Sequence, residues 1–407
     1  MLRVLIADKL SDVARAGLQE GGCEVHIHPE LKGDALSDAL RSLDPDVLVV
    51  RSTKVQAPQF EAARSLTLVI RAGAGVNTID LSAASARGVY VCNCPGTNAA
   101  AVAELTWAHI LNADRRVADN VQALREGHWK KKVFAKNTRG LKGRTLGVIG
   151  FGDIGRAVAD IGRGFGMDVV VWSRSLTDAQ AEVAGVRRAD SAADAARASD
   201  VVTVHLALTP ATRGFAGAVF FDALRPGAIF VNTSRGDVVD EASLEKAIRE
   251  KGVRAGLDVF CGEPSADGQW ACGLASLDGV YGTHHIGAST DQAQDAVAEE
   301  VCRVALTFLS TGAPPNCVNL AVRTPATHLL IVRHQDKVGV LAGVLDVLRK
   351  ADVNVGKMEN IIFSAPDSLS GGSACARIQI SNLPDEAALA SLSASDTIFD
   401  IKTVPLD

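Results

Sequence analysis

Three polar residues stand directly after short apolar runs of this chain, and their types suit one kind of chemistry. Arg235 closes Val231-Asn232-Thr233-Ser234, Glu263 follows Gly256-Leu257-Asp258-Val259-Phe260, and His285 lies in Thr283-His284-His285-Ile286-Gly287-Ala288-Ser289-Thr290. An imidazole gives and takes a proton at a carbonyl or hydroxyl oxygen near neutral pH, and a neighbouring carboxylate stabilises the imidazolium. A guanidinium holds a carboxylate by a bidentate pair and polarises the carbonyl beside it. Taken singly, such groups are more often structural or solvated. At strand ends, where ligands bind in open α/β sheets, they offer acid/base and carboxylate-binding chemistry, although spacing does not show that they meet.

A second constellation precedes them. Thr145 to Gly155 reads TLGVIGFGDIG, an apolar run that ends in glycines and passes into a helical pattern. Gly150 permits a tight strand-to-helix turn, Gly152 lets backbone approach a pyrophosphate, and Gly155 lets the helix pack closely on the strand. The helix start at Asp153-Ile154 offers N–H groups and the positive dipole end to phosphates. This is a dinucleotide-binding pattern. Its second strand, Asp168 to Trp172, ends in Ser173-Arg174, where an acid usually accepts hydrogen bonds from the adenosine ribose. With no carboxylate there, both NAD and NADP stay open as cofactors.

The elements that must position these residues follow from periodicity. Apolar runs RVLIAD, CEVHIH, DVLVVRS, LTLVIRAG and VYVCNC alternate with helical segments, which is a parallel α/β layout. One long helical pattern runs from Ala99 to Gly127, then a basic loop leads to the glycine turn. Strands recur at DVVVW, DVVTVHL, AIFVNTS, AGLDVF and VYGTHH, the rhythm of a doubly wound sheet. An amphipathic helix from Asp291 to Ser310 ends before Gly312-Ala313-Pro314-Pro315. After Thr324-Pro325 the order becomes β-α-β-β-α-β, a ferredoxin-like module.

Composition bounds the rest. The 407 residues favour two or three domains, and 47% apolar with 22% charged residues describes a soluble globular chain. A net charge of -5 argues against nucleic acid or an anionic membrane as partner. No run of apolar residues is long enough for a membrane span, and the start reads as a strand, so a cytoplasmic location is expected. Eight scattered cysteines lack zinc spacing and read as reduced thiols, with no metal site expected. Seven Lys and Arg residues lie between Lys130 and Arg144 without an acid. They are read as a solvated loop or as a steering patch for anions.

The set GFGDIG, NTSRG, GLDVF with the following Glu-Pro, and THHIGAST, in this order, resembles the D-isomer-specific 2-hydroxyacid dehydrogenases over roughly residues 1 to 315. The resemblance implies that Arg235 binds the substrate carboxylate, His285 is the acid/base, Glu263 is its partner, and Asp258 lies near the nicotinamide. His285 is taken over His284 because it precedes Ile-Gly; the family usually has Pro at position 284.

Within the family the chain resembles the D-3-phosphoglycerate dehydrogenases. Val50 to Val55 and Arg71 to Asn77 are similar to their substrate loops. Arg51 and Arg71 would then meet a phosphate, with Ser52 in the same loop, and the backbone of Gly73, Ala74, Gly75 and Val76 would cradle the carboxylate.

The C-terminal module resembles an ACT regulatory domain. There His334, Asp336 and Asn354 would hold an amino-acid effector between two chains, although Asp336 and Val338 depart from the serine-responsive pattern. A dimerisation module without ligand is the other reading. The implied fold is a doubly wound Rossmann domain with a flavodoxin-like substrate domain and the ferredoxin-like (ACT) module. Expected bounds are 1–97 (completed by 291–315) for substrate, 98–290 for NAD(P), 316–325 as linker, and 326–407 for regulation.

The implied activity is oxidation of D-3-phosphoglycerate to 3-phosphohydroxypyruvate, the first step of L-serine synthesis, by a homodimer or homotetramer. The alternatives are a glyoxylate, hydroxypyruvate or other 2-keto acid reductase and, more remotely, a cofactor-sensing binding protein.

Overall fold

The computed structural model describes residues 1–136, 138–264, 267–364 and 372–406. The chain divides into two compact units, Met1–Asn319 and Leu320–Asp407.

Five short apolar runs of the first unit form one parallel sheet: β1 (Arg3–Ile6), β2 (Glu24–Ile27), β3 (Val47–Val50), β4 (Leu68–Arg71) and β5 (Tyr90–Asn93), in the order β2-β1-β3-β4-β5. That is the flavodoxin-like order. All four residues of β3 are buried, as a strand covered on both faces requires. One face packs Leu36, Leu40 and Phe60, and the other receives Val297, Val301 and Val304 of the helix Asp291–Thr311. Cys92 and Cys94 alternate to the same face and are fully buried in that core.

The second sheet holds β6 (Thr145–Ile149), β7 (Asp168–Trp172), β8 (Arg187–Arg188), β9 (Val201–Val204), β10 (Ile229–Asn232), β11 (Arg254–Leu257) and β12 (Val280–Gly282). Its order is β12-β11-β10-β9-β6-β7-β8, with parallel pairing throughout. The winding reverses between β6 and β9, so the crevice for a ligand opens at the carboxyl ends of these strands. Val201, Val202 and Val204 are each 0% exposed, and burying one such side chain is worth roughly 1.5–3 kcal/mol. The strand ends therefore project from a stiff platform. β8 has only two residues, too few for periodicity to reveal.

The long helix expected from Ala99 to Gly127 is two helices, Ala99–Arg115 and Val117–Arg125. Arg116 takes a left-handed backbone (φ 51°), and its side chain donates to the carbonyls of Val133 and Lys136. These contacts hold a third short helix, Lys131–Ala135, inside the basic segment read as a loop. The expected linker 316–325 also needs correction at its start. The backbone of Cys317 pairs antiparallel with that of Cys92, both thiols being free, and the Val318 N–H donates to Val91 O at 2.8 Å. Residues through Asn319 therefore belong to the first unit's packing.

The second unit contains β13 (His328–Gln335), β14 (Val355–Phe363), β15 (Ser373–Ile380) and β16 (Ile398–Pro405), paired antiparallel as β14-β15-β13-β16. Helices Val340–Lys350 and Glu386–Ser393 supply Val344, Leu348 and Leu392 to a core with Leu330, Val332 and Ile378. This is the ferredoxin-like arrangement.

Candidate active site

Arg235, Glu263 and His285 come from three different strand ends, and Glu263 joins them: it hydrogen-bonds His285, and its charge acts on Arg235. At the end of β10, Asn232 shapes the turn: its Oδ1 accepts from the Ser234 N–H (3.0 Å) and hydroxyl (2.7 Å), and its Nδ2 donates to Arg235 O (2.9 Å). Gly236 then passes so close to the next loop that a β-carbon would stand 2.1 Å from the Phe260 carbonyl carbon. Only glycine permits this approach, which brings the arginine turn beside the loop that carries Glu263. Burial pushes the Arg235 guanidinium pKa down, and the Glu263 charge opposes that shift.

Glu263 hydrogen-bonds His285 Nδ1 through Oε1 and accepts from the Phe260 N–H through Oε2 (3.2 Å). Burial would raise its pKa. The hydrogen bond and charge of His285, the Phe260 N–H and Arg235 outweigh that and hold the carboxyl below its usual range. With Nδ1 committed to Glu263, Nε2 is the ring nitrogen left for chemistry. His285 has a left-handed backbone (φ 54°), and its N–H donates to Asp258 O at 2.8 Å.

Asp258, 1% exposed, has a carboxylate already engaged by the protein. It accepts from Thr283 Oγ1 (2.6 Å), the Ile286 N–H (2.9 Å) and the Gly287 N–H (2.9 Å). The residue expected beside the nicotinamide thus holds the loop on both sides of His285.

The expected substrate loops approach the Arg235 turn: Gly75 lies against its guanidinium, and the charges of Arg235 and Arg51 act on Arg71. Arg71 folds back over Gly73, whose β-carbon would stand 1.8 Å from Nη1, and Arg71 Nε is buried without a partner. Desolvation, then the charges of Arg235 and Arg51, push the Arg71 pKa down to about 10. The charges of Arg235 and Arg51 thus both act on Arg71. The Gly73 N–H is spent on Arg71 O (2.9 Å), so Gly73 serves as a space for the guanidinium and not as a donor. Among the described residues, the N–H groups of Ala74, Gly75 and Val76 have no protein acceptor, and Asn93 Nδ2 fixes this loop by donating to Ala74 O at 2.6 Å. Ser52 differs from expectation, because its hydroxyl and N–H donate to Asp8 (both 3.0 Å).

Asp8 is a site residue that sequence reasoning passed over. Buried at the end of β1, it also accepts the N–H groups of Arg51 (2.6 Å) and Thr53 (2.9 Å), and so fixes the loop that presents the Arg51 side chain. Its signal was available: it is an acid at the carboxyl end of a parallel strand.

The glycine turn fits a dinucleotide. Gly150 (φ 97°) leaves no room for a β-carbon, which would lie 2.3 Å from His205 O, and one on Gly155 would lie 2.1 Å from Gly150 O. A β-carbon on Gly152 would meet nothing within 4 Å, and the helix Asp153–Gly164 starts there without a side-chain cap. Open backbone and uncapped N–H groups are what a pyrophosphate needs. Ile154 packs partly into the core, while exposed Asp153 sets its Oδ2 3.1 Å from the β-carbon position of Gly96. Ser173 is half-buried, and Arg174 is exposed after β7.

The effector residues are not gathered within one chain. His334 is 1% exposed; its Nδ1 donates to Gln335 O at 2.8 Å, and its Nε2 lies 3.1 Å from Asn360 Oδ1. His334 and Asp336 stand at the end of the sheet where Ala374 pairs with Ile362, whereas Asn354 precedes the Val355–Ile380 pair at the opposite end. Among the described residues no group of His, Cys, Asp and Glu is arranged to hold a metal, and no helix is long and apolar enough to cross a membrane.

Residues 107–287 match the sequence model described as "D-isomer specific 2-hydroxyacid dehydrogenase, NAD binding domain". A D-3-phosphoglycerate dehydrogenase of Methanocaldococcus jannaschii is 38% identical over 312 residues, 75% of this chain and 57% of that protein. A hydroxypyruvate reductase of Thermotoga maritima is 40% identical over 270 residues, 65% of this chain and 85% of that protein. An NADPH-dependent glyoxylate/hydroxypyruvate reductase of Sinorhizobium meliloti, solved with citrate, superposes with a TM-score of 0.67 at 26% identity, covering 78% of this chain and 98% of that one. The chain spans 57–63% of the length of the first phosphoglycerate dehydrogenases it matches.

Proposed function

We propose that this chain, which belongs to the D-isomer specific 2-hydroxyacid dehydrogenase family, oxidises D-3-phosphoglycerate to 3-phosphohydroxypyruvate, the reaction that opens L-serine synthesis. One observation carries the choice of a phosphorylated substrate. Arg71 is desolvated within the field of the Arg235 and Arg51 charges, which Asp8 only partly offsets, and its buried Nε has no partner. A monoanionic 2-keto acid calls for one guanidinium, whereas a substrate carrying carboxylate and phosphate also uses the positive charge gathered at Arg71.

The residues divide the work by their chemistry. Gly150, Gly152 and Gly155 would hold a nicotinamide dinucleotide, which when bound would supply the two-electron acceptor for the substrate's hydride. Arg235 and the free N–H groups of Ala74, Gly75 and Val76 hold the carboxylate. His285 Nε2 takes the hydroxyl proton, and Glu263 on Nδ1 stabilises the imidazolium that forms. Arg71 and Arg51 hold the phosphate, with Asp8 keeping the Arg51 loop in place. The assembly is a homodimer or homotetramer, and residues 320–407 form an ACT-like module whose ligand site requires a second chain.

The exposed Arg174 after β7, with no acid at that strand end, favours a second reading: an NADPH-driven reductase of glyoxylate or hydroxypyruvate. Steady-state assays of phosphoglycerate, glyoxylate and hydroxypyruvate, each with both nicotinamides, decide between the two. The first reading requires phosphoglycerate to have the highest kcat/KM. Arg174→Ala should weaken NADP binding about tenfold if that cofactor is used. His285→Ala should abolish turnover and leave cofactor affinity nearly intact; near-normal turnover would remove the acid/base assignment.

A further inference from the structure

We propose that His109, on the helix Ala99–Arg115, is a positioning residue for His285, acting through a buried hydrogen-bonded chain of Thr283 and Asp258. The inference rests on the proton-transfer role given to His285 above.

The direction of each bond in the chain follows from the groups present. Thr283 Oγ1 has one proton and donates it to Asp258 Oδ1 at 2.6 Å. Its remaining contact, 3.0 Å from His109 Nε2, must therefore be an accepted bond, so His109 carries its proton on Nε2. Burial pushes the His109 pKa down, against the charge of Asp258, which keeps the ring a neutral donor. At the far end Asp258 holds the Ile286 and Gly287 N–H groups, and its carbonyl holds the His285 N–H. The left-handed backbone of His285 is thus bracketed by contacts to a single aspartate.

The helix packs tightly on β11 at His109. Gly256 on β11 lies against it so closely that a β-carbon would stand 2.6 Å from His109 Cβ. The same helix face touches both catalytic loops: Val102 lies against Gly287, Thr106 bonds Thr233 at 2.8 Å beside the Arg235 turn, and His109 bonds Thr283. Thr106 donates to Val102 O (2.8 Å), so it accepts from Thr233, and this contact too has a fixed direction. A spacing of three or four residues keeps these side chains on one face. One helix thereby sets the Arg235 and His285 loops in register with each other.

The test compares His109→Leu, which keeps bulk and loses the donor, with His109→Gln, which keeps an N–H donor. Readouts are kcat, KM, NADH affinity by fluorescence titration, and Tm. A displacement of about 1 Å at a reacting group costs on the order of a hundredfold, so the Leu variant should lose about tenfold to a hundredfold in kcat. Its NADH affinity should stay within about twofold and its Tm should not fall; the Gln variant should recover most of the rate. A Leu variant with kcat near the parent value, or equal losses in both variants, overturns the proposal. If His109→Leu does not fold, Thr283→Val against Thr283→Ser reads the same chain with the same two outcomes. His285→Ala serves as the companion. An active His285→Ala removes the acid/base reading itself, whereas an inactive one beside a normal His109→Leu removes only this inference.

Discussion

Gly75 lies against the guanidinium of Arg235: a β-carbon there would stand 2.9 Å from Nη2. The loop after β4 and the turn after β10 belong to different sheets, and this contact is where their polar groups meet. Gly75→Ala should therefore fold, since a flexible guanidinium tip can give way, yet displace the group that holds the substrate carboxylate. We expect KM for the 2-hydroxy acid to rise about tenfold with NADH affinity unchanged, in steady-state and fluorescence measurements. An unchanged KM would mean that Arg235 does not meet the carboxylate beside this loop.

Burial, with the nearby charges of Arg235 and Arg51, disfavours the charged form of Arg71. Arg71→Leu should cost substrate affinity heavily while raising the stability of the ligand-free protein by about 1 kcal/mol, a trade between function and stability. Inorganic phosphate should raise the Tm of the parent protein and not of the variant, because only a protein that binds the anion is stabilised by it. Thermal melts with and without phosphate check both halves.

The depressed Glu263 carboxyl gives a pH dependence with a definite sign. Its native pKa lies below the ordinary 4.5, so its contribution to stability is complete above that pH and drains away as pH falls through the lower native value. Glu263→Gln should be less stable than the parent at pH 6, and the gap should narrow as melts are run toward pH 3. At neutral pH its kcat should fall on the order of a hundredfold.

The three glycines of the turn should respond differently to alanine. Gly150→Ala and Gly155→Ala force a β-carbon within 2.3 Å and 2.1 Å of a carbonyl oxygen. Each should cost about 1–3 kcal/mol in denaturant unfolding. Gly152→Ala meets open space in the protein, so stability should hold while dinucleotide affinity drops. Equal effects at Gly150 and Gly152 would contradict the turn geometry.

Much of the fold was legible because its signals are local. Alternating apolar runs and helical spacing located the strands of both parallel sheets and of the C-terminal sheet, apart from the two-residue β8. The glycine turn was legible for the same reason, since strand, turn and helix lie within about a dozen residues. Arg235, Glu263 and His285 were nameable as strand-end residues and through a family resemblance. The break at Arg116 was not legible, because it is held by carbonyls 17 and 20 residues away.

By itself, then, the sequence determined the elements, the dinucleotide turn and the chemical types available at the strand ends, because each depends on backbone propensity and spacing over a few neighbours. The tertiary structure alone decided which polar groups were already spent. Ser52 turned onto Asp8 across 44 residues, Asp258 took the loop around His285 across 25 to 29, and His109 reached Thr283 across 174. Hydrogen-bonding capacity is finite and is filled by whatever the packed chain brings within about 3 Å. A residue's availability to a ligand is therefore a property of the fold, even where its chemistry is a property of the sequence.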